Sequence, residues 1–369
     1  MGRLLIAAGG GGDALAAAII HAATTDGEPA CIATFAWDRL VIDPLPGPRG
    51  QADFSGLQMF TKSTARVTGD TRPIPPAGST LPGLAAEIDP PLILLDPADG
   101  TRGLRIQLRE LVMSLGSPRA ELVDVGGDVL AHGDEPELRS PLADALALAA
   151  CADLGIPVDV LVVGAGLDGE LTEDQVLTRA GSDIALQLSA ADTDRYAYIL
   201  DWHPSEATAL LIAATRGARG TAEIRDGGLL VQLSDNSSNV YRIELARALA
   251  ISAPARALQD ASSLDEAETI TRQLCGFSEI DYERAKAARA DTPHQRINLR
   301  DLDHEAQIYE ADAAARGIDF LTFRRLAEAL GLRYSMIDQL RSHLTATRPD
   351  HYLPPLWMTS PLRNWVHDN

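Results

Sequence analysis

Chemistry-bearing residues collect in five short stretches of the chain, each placed just after an apolar run. The first is Gly9, Gly10, Gly11 and Gly12 followed by Asp13. Glycines between a buried strand and a helix let the backbone approach a ligand closely, and a helix N-terminus favours negative charge. Only Gly9, Gly11 and Ala14 fit the dinucleotide fingerprint, with alanine in its last place, and no P-loop Lys-Ser/Thr follows. The structural reading of the same residues is a tight turn with Asp13 as a helix cap.

The second stretch holds Asp124, Gly126, Gly127 and Asp128, then Asp134 and Glu135, then Ser140, Pro141 and Asp144. Carboxylates at a strand end can hold Mg²⁺ or Mn²⁺ or serve as general acid and base. Asp124, Asp128 and Asp168 are the expected metal ligands. Ser140 with Pro141 reads as an N-cap with proline in the first helical place, putting Asp144 one turn in. A third stretch, Gly164, Gly166, Asp168, Gly169 and Glu170, repeats the pattern, and Asp96 and Asp99 make a fourth, with Arg102 and Arg105 close by as anion binders. In the segment Asp201, Trp202, His203, Pro204, Ser205 and Glu206, Ser205 is a helix cap and Glu206, in the first turn, is a candidate catalytic residue. His203 is the best-placed general acid or base, because its ordinary pKa lies near neutrality. Arg216, Arg219 and Arg225 flank Gly217 and Gly220 and suit a carboxylate or phosphate.

These side chains need elements to hold them in common. The apolar runs 4–8, 30–35, 92–95, 122–125, 158–163 and 198–200 are continuous rather than alternating, as in parallel strands covered on both faces. Helical patterns at 103–115 and 141–154 fall between them. The expected fold is α/β: a doubly wound, mostly parallel, Rossmann-like sheet over 1–250, with a helical C-terminal part over 251–369. Residues 43–91, rich in proline and glycine, read as an irregular loop or lid. A hairpin is expected over 222–233 around Gly227 and Gly228, and a linker over 290–294. Two short helices within 323–344 resemble a helix-turn-helix, and a packed helical hairpin is the stronger reading.

Bulk properties narrow the partners. With 369 residues, 46% of them hydrophobic, the chain is long enough for a sizeable core and a second unit. A net charge of −20 disfavours nucleic acid and anionic membrane surfaces. Lys62 and Lys286 are the only lysines, which leaves little scope for Schiff-base chemistry. Cys31, Cys151 and Cys275 are odd in number and widely spaced, so a disulfide framework is not expected. No run is long enough to span a bilayer and no signal pattern opens the chain, so a cytoplasmic protein is expected. The apolar stretch 352–357 is a candidate homodimer contact.

Taken together, the GGGGD, DVGGD with SPLAD, and GLDGE motifs, and the Ser205, Glu206 and Ala207 helix start, resemble an uncharacterised domain-of-unknown-function family found mostly in archaea and actinobacteria. The resemblance runs over about 4–225 and implies a shared α/β domain without an activity to carry over. Residues 204–208 depart from its Thr-Glu-Ala-Ser form. The leading functional expectation is an enzyme that hydrolyses or transfers a group on a polar, phosphorylated or nucleoside-like small molecule. A non-catalytic nucleotide or metabolite sensor with a helical interaction module is the alternative. An NAD(P)-dependent oxidoreductase ranks third, with Asp38 as its only nearby ribose-binding acid.

Overall fold

A computed structural model of the protein describes residues 2–24, 28–289 and 302–361. Its centre is a nine-stranded, mostly parallel sheet. Five strands supply the parallel part: β1 (Arg3–Ala7), β2 (Ala30–Phe35), β3 (Leu92–Leu95), β4 (Ala120–Val125) and β5 (Val158–Val163). They lie side by side in the order β3-β2-β1-β4-β5. The chain therefore first builds outward from β1 in one direction and then returns to build in the other. Between β1 and β4 the loops leave in opposite directions and open a crevice, where open α/β sheets place ligands.

The continuous apolar runs follow from burial on both faces. Leu4 and Ile6 of β1 join one core with α3 (Gly100–Leu115) and α4 (Ala143–Cys151). Leu5 and Ala7 point the other way, into a core with α1 (Gly11–Thr24) and α5 (Glu206–Thr215). A strand flanked by helices on both sides cannot afford polar positions on either. In α1, the fully buried alanines 14 and 16–18 let the helix lie close against the sheet. The sheet is not wholly parallel: β8 (Asn239–Glu244) pairs antiparallel with β5, Val240 opposite Val163.

Several expectations need correction. Residues 198–200 are not a strand; they lie in a 3-10 turn, Asp194–Asp201, with Ile199 buried and Tyr198 exposed. Residues 43–91 are not one irregular loop. They contain α2 (Leu81–Glu87) and short strands, two of which, Ala65–Val67 and Gln58–Met59, extend the large sheet. Antiparallel edge pairs this short carry too little periodicity to be read from sequence. The hairpin forms as expected from β6 (Gly220–Ile224) and β7 (Leu229–Leu233).

The C-terminal part is mostly helical, yet it also adds strands Phe320–Leu321, Leu356–Met358 and Tyr352–Leu353 to the hairpin, making a second, five-stranded sheet. Trp357 and Leu356 are fully buried there, so that much of the stretch considered for a dimer contact packs inside its own chain. Helices Phe323–Ala329 and Ile337–Thr347 pack together through Phe323, Leu326, Leu340 and Leu344, as a helical hairpin does. The expected linker at 290–294 lies outside the described residues. Among the described residues no helix is long and apolar enough to cross a membrane.

Candidate functional site

The crevice between β1 and β4 opens into a pocket of about 840 Å³, its mouth included. Among the described residues, ten carboxyl side chains line it: Asp13, Asp38, Asp124, Asp128, Asp144, Asp168, Glu170, Glu206, Glu279 and Glu283. Two guanidinium groups of the described residues, Arg39 and Arg225, face them. So many buried acids against so few cations cannot all be ionised without a compensating ligand or protons.

Asp13 is a clamp rather than a helix cap. Its Oδ2 accepts the N–H of Gly9 at 2.7 Å, and its Oδ1 accepts the N–H of Val125 at 3.0 Å. One carboxylate thus ties the end of β1 to the end of β4. Asp124 comes from the last turns of β4, and Asp144 from the first turn of α4. Oxygens of Asp13, Asp124 and Asp144 lie within 4.8 Å of one another. Asp124 is 1% exposed and Asp144 6%, and Asp124 Oδ2 and Asp144 Oδ1 have no hydrogen-bond partner among the described residues. Burial raises Asp13 to about 6, against the pull of the two backbone N–H groups. Asp124 and Asp144 are pushed well above the carboxylate range, first by burial and then by the neighbouring acids.

Around this trio sit two further groups of acids. Ser140 Oγ is 2.5 Å from Glu170 Oε1 and 3.1 Å from Asp128 Oδ2. A hydroxyl has one hydrogen to give, which these two carboxyls compete for. Burial and the charges of Asp144 and Glu170 push Asp128 well above the usual carboxylate range. Glu170 Oε2 also accepts the N–H groups of Arg139 and Ser140. Asp168, 7% exposed and with Oδ2 unpartnered, is raised to about 7 by burial and by Glu170. Gly126 makes room for it: at φ +122°, a Cβ there would fall 2.3 Å from the Asp168 carboxyl carbon. Gly127 (φ +111°) turns the chain beside it; neither glycine lines the pocket.

At the other end of the glycine stretch the chemistry changes. The helix starts at Gly11, so the loop proper is shorter than the four glycines suggest. A Cβ on Gly9 would approach Asp13 Oδ2, one on Gly10 the Trp37 carbonyl, one on Gly11 the His203 Nε2 and Thr80 Oγ1, and one on Gly12 the Ser205 Oγ, all within 2.8 Å. All four glycines are therefore pressed between pocket walls, which explains why side chains are absent. His203 is 6% exposed, its Nδ1 accepts the N–H of Ser205 at 3.3 Å, and its Nε2 has no partner. Burial lowers its pKa to about 4, so the ring is neutral near pH 7.

Glu206 plays another part. It accepts Arg225 Nη1 at 2.7 Å and the Thr322 hydroxyl, with Arg324 at 3.5 Å. Burial alone would raise its pKa, but Arg324 and Arg225 outweigh that and hold it below the usual range. It is a fixed anion that joins α5 to the C-terminal part. Ser205 caps α5 as expected, through the N–H of Thr208. Ser140 is no cap: α4 begins only at Ala143, and the carboxylate of Glu279 takes the N–H groups of Leu142 and Ala143 instead.

The pocket thus gathers Gly9, Gly10, Gly11, Gly12, Asp13, Asp124, Asp128, Ser140, Asp144, Asp168, Glu170, His203 and Glu206, all singled out from sequence. Arg102 and Arg216 are not among its lining. Arg102 stands exposed on α3, and Arg216 bonds Asp194 and the Pro354 carbonyl. Asp96 is spent on the N–H groups of Gln51 and Ala98. Sequence reasoning missed Trp37, Arg39, Thr80, Glu279 and Glu283, and weighed Asp38 only as a ribose ligand. Trp37, Asp38 and Arg39 follow β2 as the other motifs follow their strands, so the same rule finds them. Glu279 and Glu283 lie on helix Glu279–Arg289, one turn apart, a spacing that on most helices marks only a solvated face.

Fold and site define a mixed α/β protein whose acid-lined pocket lies at the carboxyl ends of parallel strands. The chain belongs to the family described as a protein of unknown function, DUF1152, whose model matches residues 4–287. No curated protein and no solved structure matches it. The matched span includes Glu279 and Glu283 and stops short of the C-terminal strands.

Proposed function

We propose that the protein is a divalent-cation-dependent enzyme of Rossmann-like fold that hydrolyses or transfers a group on a polar, phosphorylated or nucleoside-like small molecule. The observation that carries this reading is the convergence of Asp13, Asp124 and Asp144 within 4.8 Å, with two buried oxygens left without partners. An all-oxygen set of this kind suits Mg²⁺ or Mn²⁺ rather than a softer metal. Such a cation would supply charge compensation in the pocket and polarise a bound oxygen. Asp128 and Asp168, expected from sequence as ligands beside Asp124, fit proton handling better. Asp168, raised to about 7, can take or release a proton at neutral pH. The strand order, with its crevice beside β1, supports a Rossmann-like assignment.

The oxidoreductase reading gains the position of Asp38 in the pocket, but that carboxylate is already bonded to Ser79 and to the hydroxyl and N–H of Thr80. A dinucleotide pyrophosphate at the glycine loop would also meet Asp13 and Asp144. A sensor would bind the same ligands without turnover.

The test is a thermal-shift and calorimetric titration of the full chain with Mg²⁺ and Mn²⁺, repeated on Asp124→Asn. Cation binding to the folded state raises the melting temperature by mass action, and Asp124→Asn should abolish the rise. An unchanged response in the variant, or none in the parent protein, removes the cation from the reading.

A further inference from the structure

The pocket has a second pole, opposite in character to the acidic trio. Gly11 and Gly12 open a helix of 14 residues, and the N–H groups of a first helical turn have no partner within the helix. Their partial positive charge adds to that of the helix dipole. By itself a helix start is not a site. Here a second feature points into the same space: the imidazole of His203, more than nine-tenths buried, with Nε2 unpartnered and 2.8 Å from where a Cβ of Gly11 would stand.

The proton on that ring can be located. Ser205 N–H donates to Nδ1, so Nδ1 is the lone-pair nitrogen. A neutral imidazole then carries its hydrogen on Nε2, and Nε2–H is a donor aimed into the pocket. Thr80 faces the same spot, but its hydroxyl hydrogen goes to Asp38 Oδ1 at 2.6 Å, so it presents lone pairs. Ser205 Oγ is tied to Thr208. The N–H groups of Asp13 and Ala14 already donate to the Gly10 carbonyl, so among the described residues the donors available are the N–H groups of Gly11 and Gly12 and His203, with Arg39 also lining the pocket.

We propose that the first turn of α1 and the Nε2–H of His203 form a subsite for a phosphoryl group of the substrate, next to the cation trio. His203 then acts as a fixed hydrogen-bond donor instead of a general base. This deepens the proposed function and rests on it for one point: the neighbouring acids would repel a phosphate unless a cation offsets them. Gly11 is glycine because a Cβ there would stand 2.8 Å from His203 Nε2 and from Thr80 Oγ1 and would push the ring away from the first turn of α1.

The experiment is calorimetric titration of inorganic phosphate into the full chain, with Mg²⁺ present and absent, for the parent protein and for His203→Gln, His203→Leu and Gly11→Ala. Gln keeps an N–H donor near the same place, and Leu keeps the volume alone. Losing one hydrogen bond to a charged group should weaken phosphate by about ten- to a hundred-fold in His203→Leu, with most of the affinity kept in His203→Gln. Gly11→Ala should block binding. In ¹⁵N-labelled protein, His203 should show the Nε2–H tautomer at pH 7, a readout that stands even if a variant fails to fold.

Mg²⁺ binding without any phosphate binding overturns the subsite and spares the cation reading. Phosphate binding lost in Gly11→Ala, in a protein that ignores Mg²⁺, keeps the subsite and overturns the cation. Equal affinities in His203→Gln and His203→Leu, an Nδ1–H tautomer, or binding of neutral ribose in place of phosphate would each overturn the proposal.

Discussion

The molecule buries carboxyl groups in two places and treats them in opposite ways. Toward the C-terminal part, each buried acid has its counter-charge. Glu206 holds Arg225 and Arg324, and Glu310 holds Arg348 and the Trp357 indole at 2.9 and 2.8 Å. In the crevice beside β1, Asp124, Asp144 and Asp168 keep oxygens that no described residue satisfies. An unpaired buried charge is among the costliest features a fold can retain. Of the bare acids, Asp124 and Asp144 are the ones at which the proposed function places a cation. The difference lies in partnership, since burial is the same in both regions.

Breaking the paired region should give the largest effect. Glu206→Ala takes the anion from buried Arg324, removes one partner of Arg225 and frees the Thr322 hydroxyl. Removing one partner of a buried ion pair costs about 3–5 kcal/mol, read as a lower denaturant midpoint in guanidinium unfolding. The loss should be the same with and without Mg²⁺. If Glu206→Ala instead kept its stability and lost only ligand response, the contrast between the two regions would fail.

The bare region should respond to pH with the reverse sign. Asp168 is raised to about 7 and Glu279, by burial and by Glu283, to about 8. Both hold protons to higher pH when folded than when unfolded. From about pH 4 to 8 the native state binds more protons, so stability falls as pH rises through that window. The cation-free protein should therefore unfold at lower denaturant at pH 8 than at pH 5. Asp168→Asn should flatten part of the fall, because an amide has no proton to lose. A midpoint that climbs between pH 5 and 8 would show that these acids are compensated already.

How far the sequence carries this picture depends on distance along the chain. Gly9, Asp13, Asp124, Asp128 and Asp168 were legible because each follows or ends a continuous apolar run, and parallel strands bring such ends to one edge; His203 was picked out after a run that is a 3-10 turn and no strand. The five parallel strands were legible for the same reason. What was not legible is what comes from the side. Glu279 reaches the N-terminus of α4 from a distant helix, and Thr80 arrives at the tip of a segment that read as a loop. The C-terminal strands of two or three residues have too little pattern to be seen, and their pairing with the hairpin is decided by tertiary contact. Roles were harder than positions. Asp13 reads as a cap until its two backbone partners are known, and His203 reads as a base until Ser205 fixes its tautomer.

The smallest expected effect separates charge in the pocket from charge on the surface. Arg216 and Arg102 have the residue type that anion binding calls for, yet both lie outside the pocket. Arg216 already satisfies Asp194 and the Pro354 carbonyl, and its pair with Asp194 is largely solvated. Exposed pairs of this kind contribute about 0–1 kcal/mol. Arg216→Ala should shift the unfolding midpoint slightly and leave any Mg²⁺ or phosphate response of the parent unaltered. Arg39→Ala is the informative counterpart, because Arg39 stands at the pocket mouth and its charge acts on Asp13. Weaker phosphate binding in Arg39→Ala, beside an unchanged Arg216→Ala, would place the working positive charge at the mouth. Equal losses in both would mean that the net charge of −20, and not the pocket, governs how the chain receives anions.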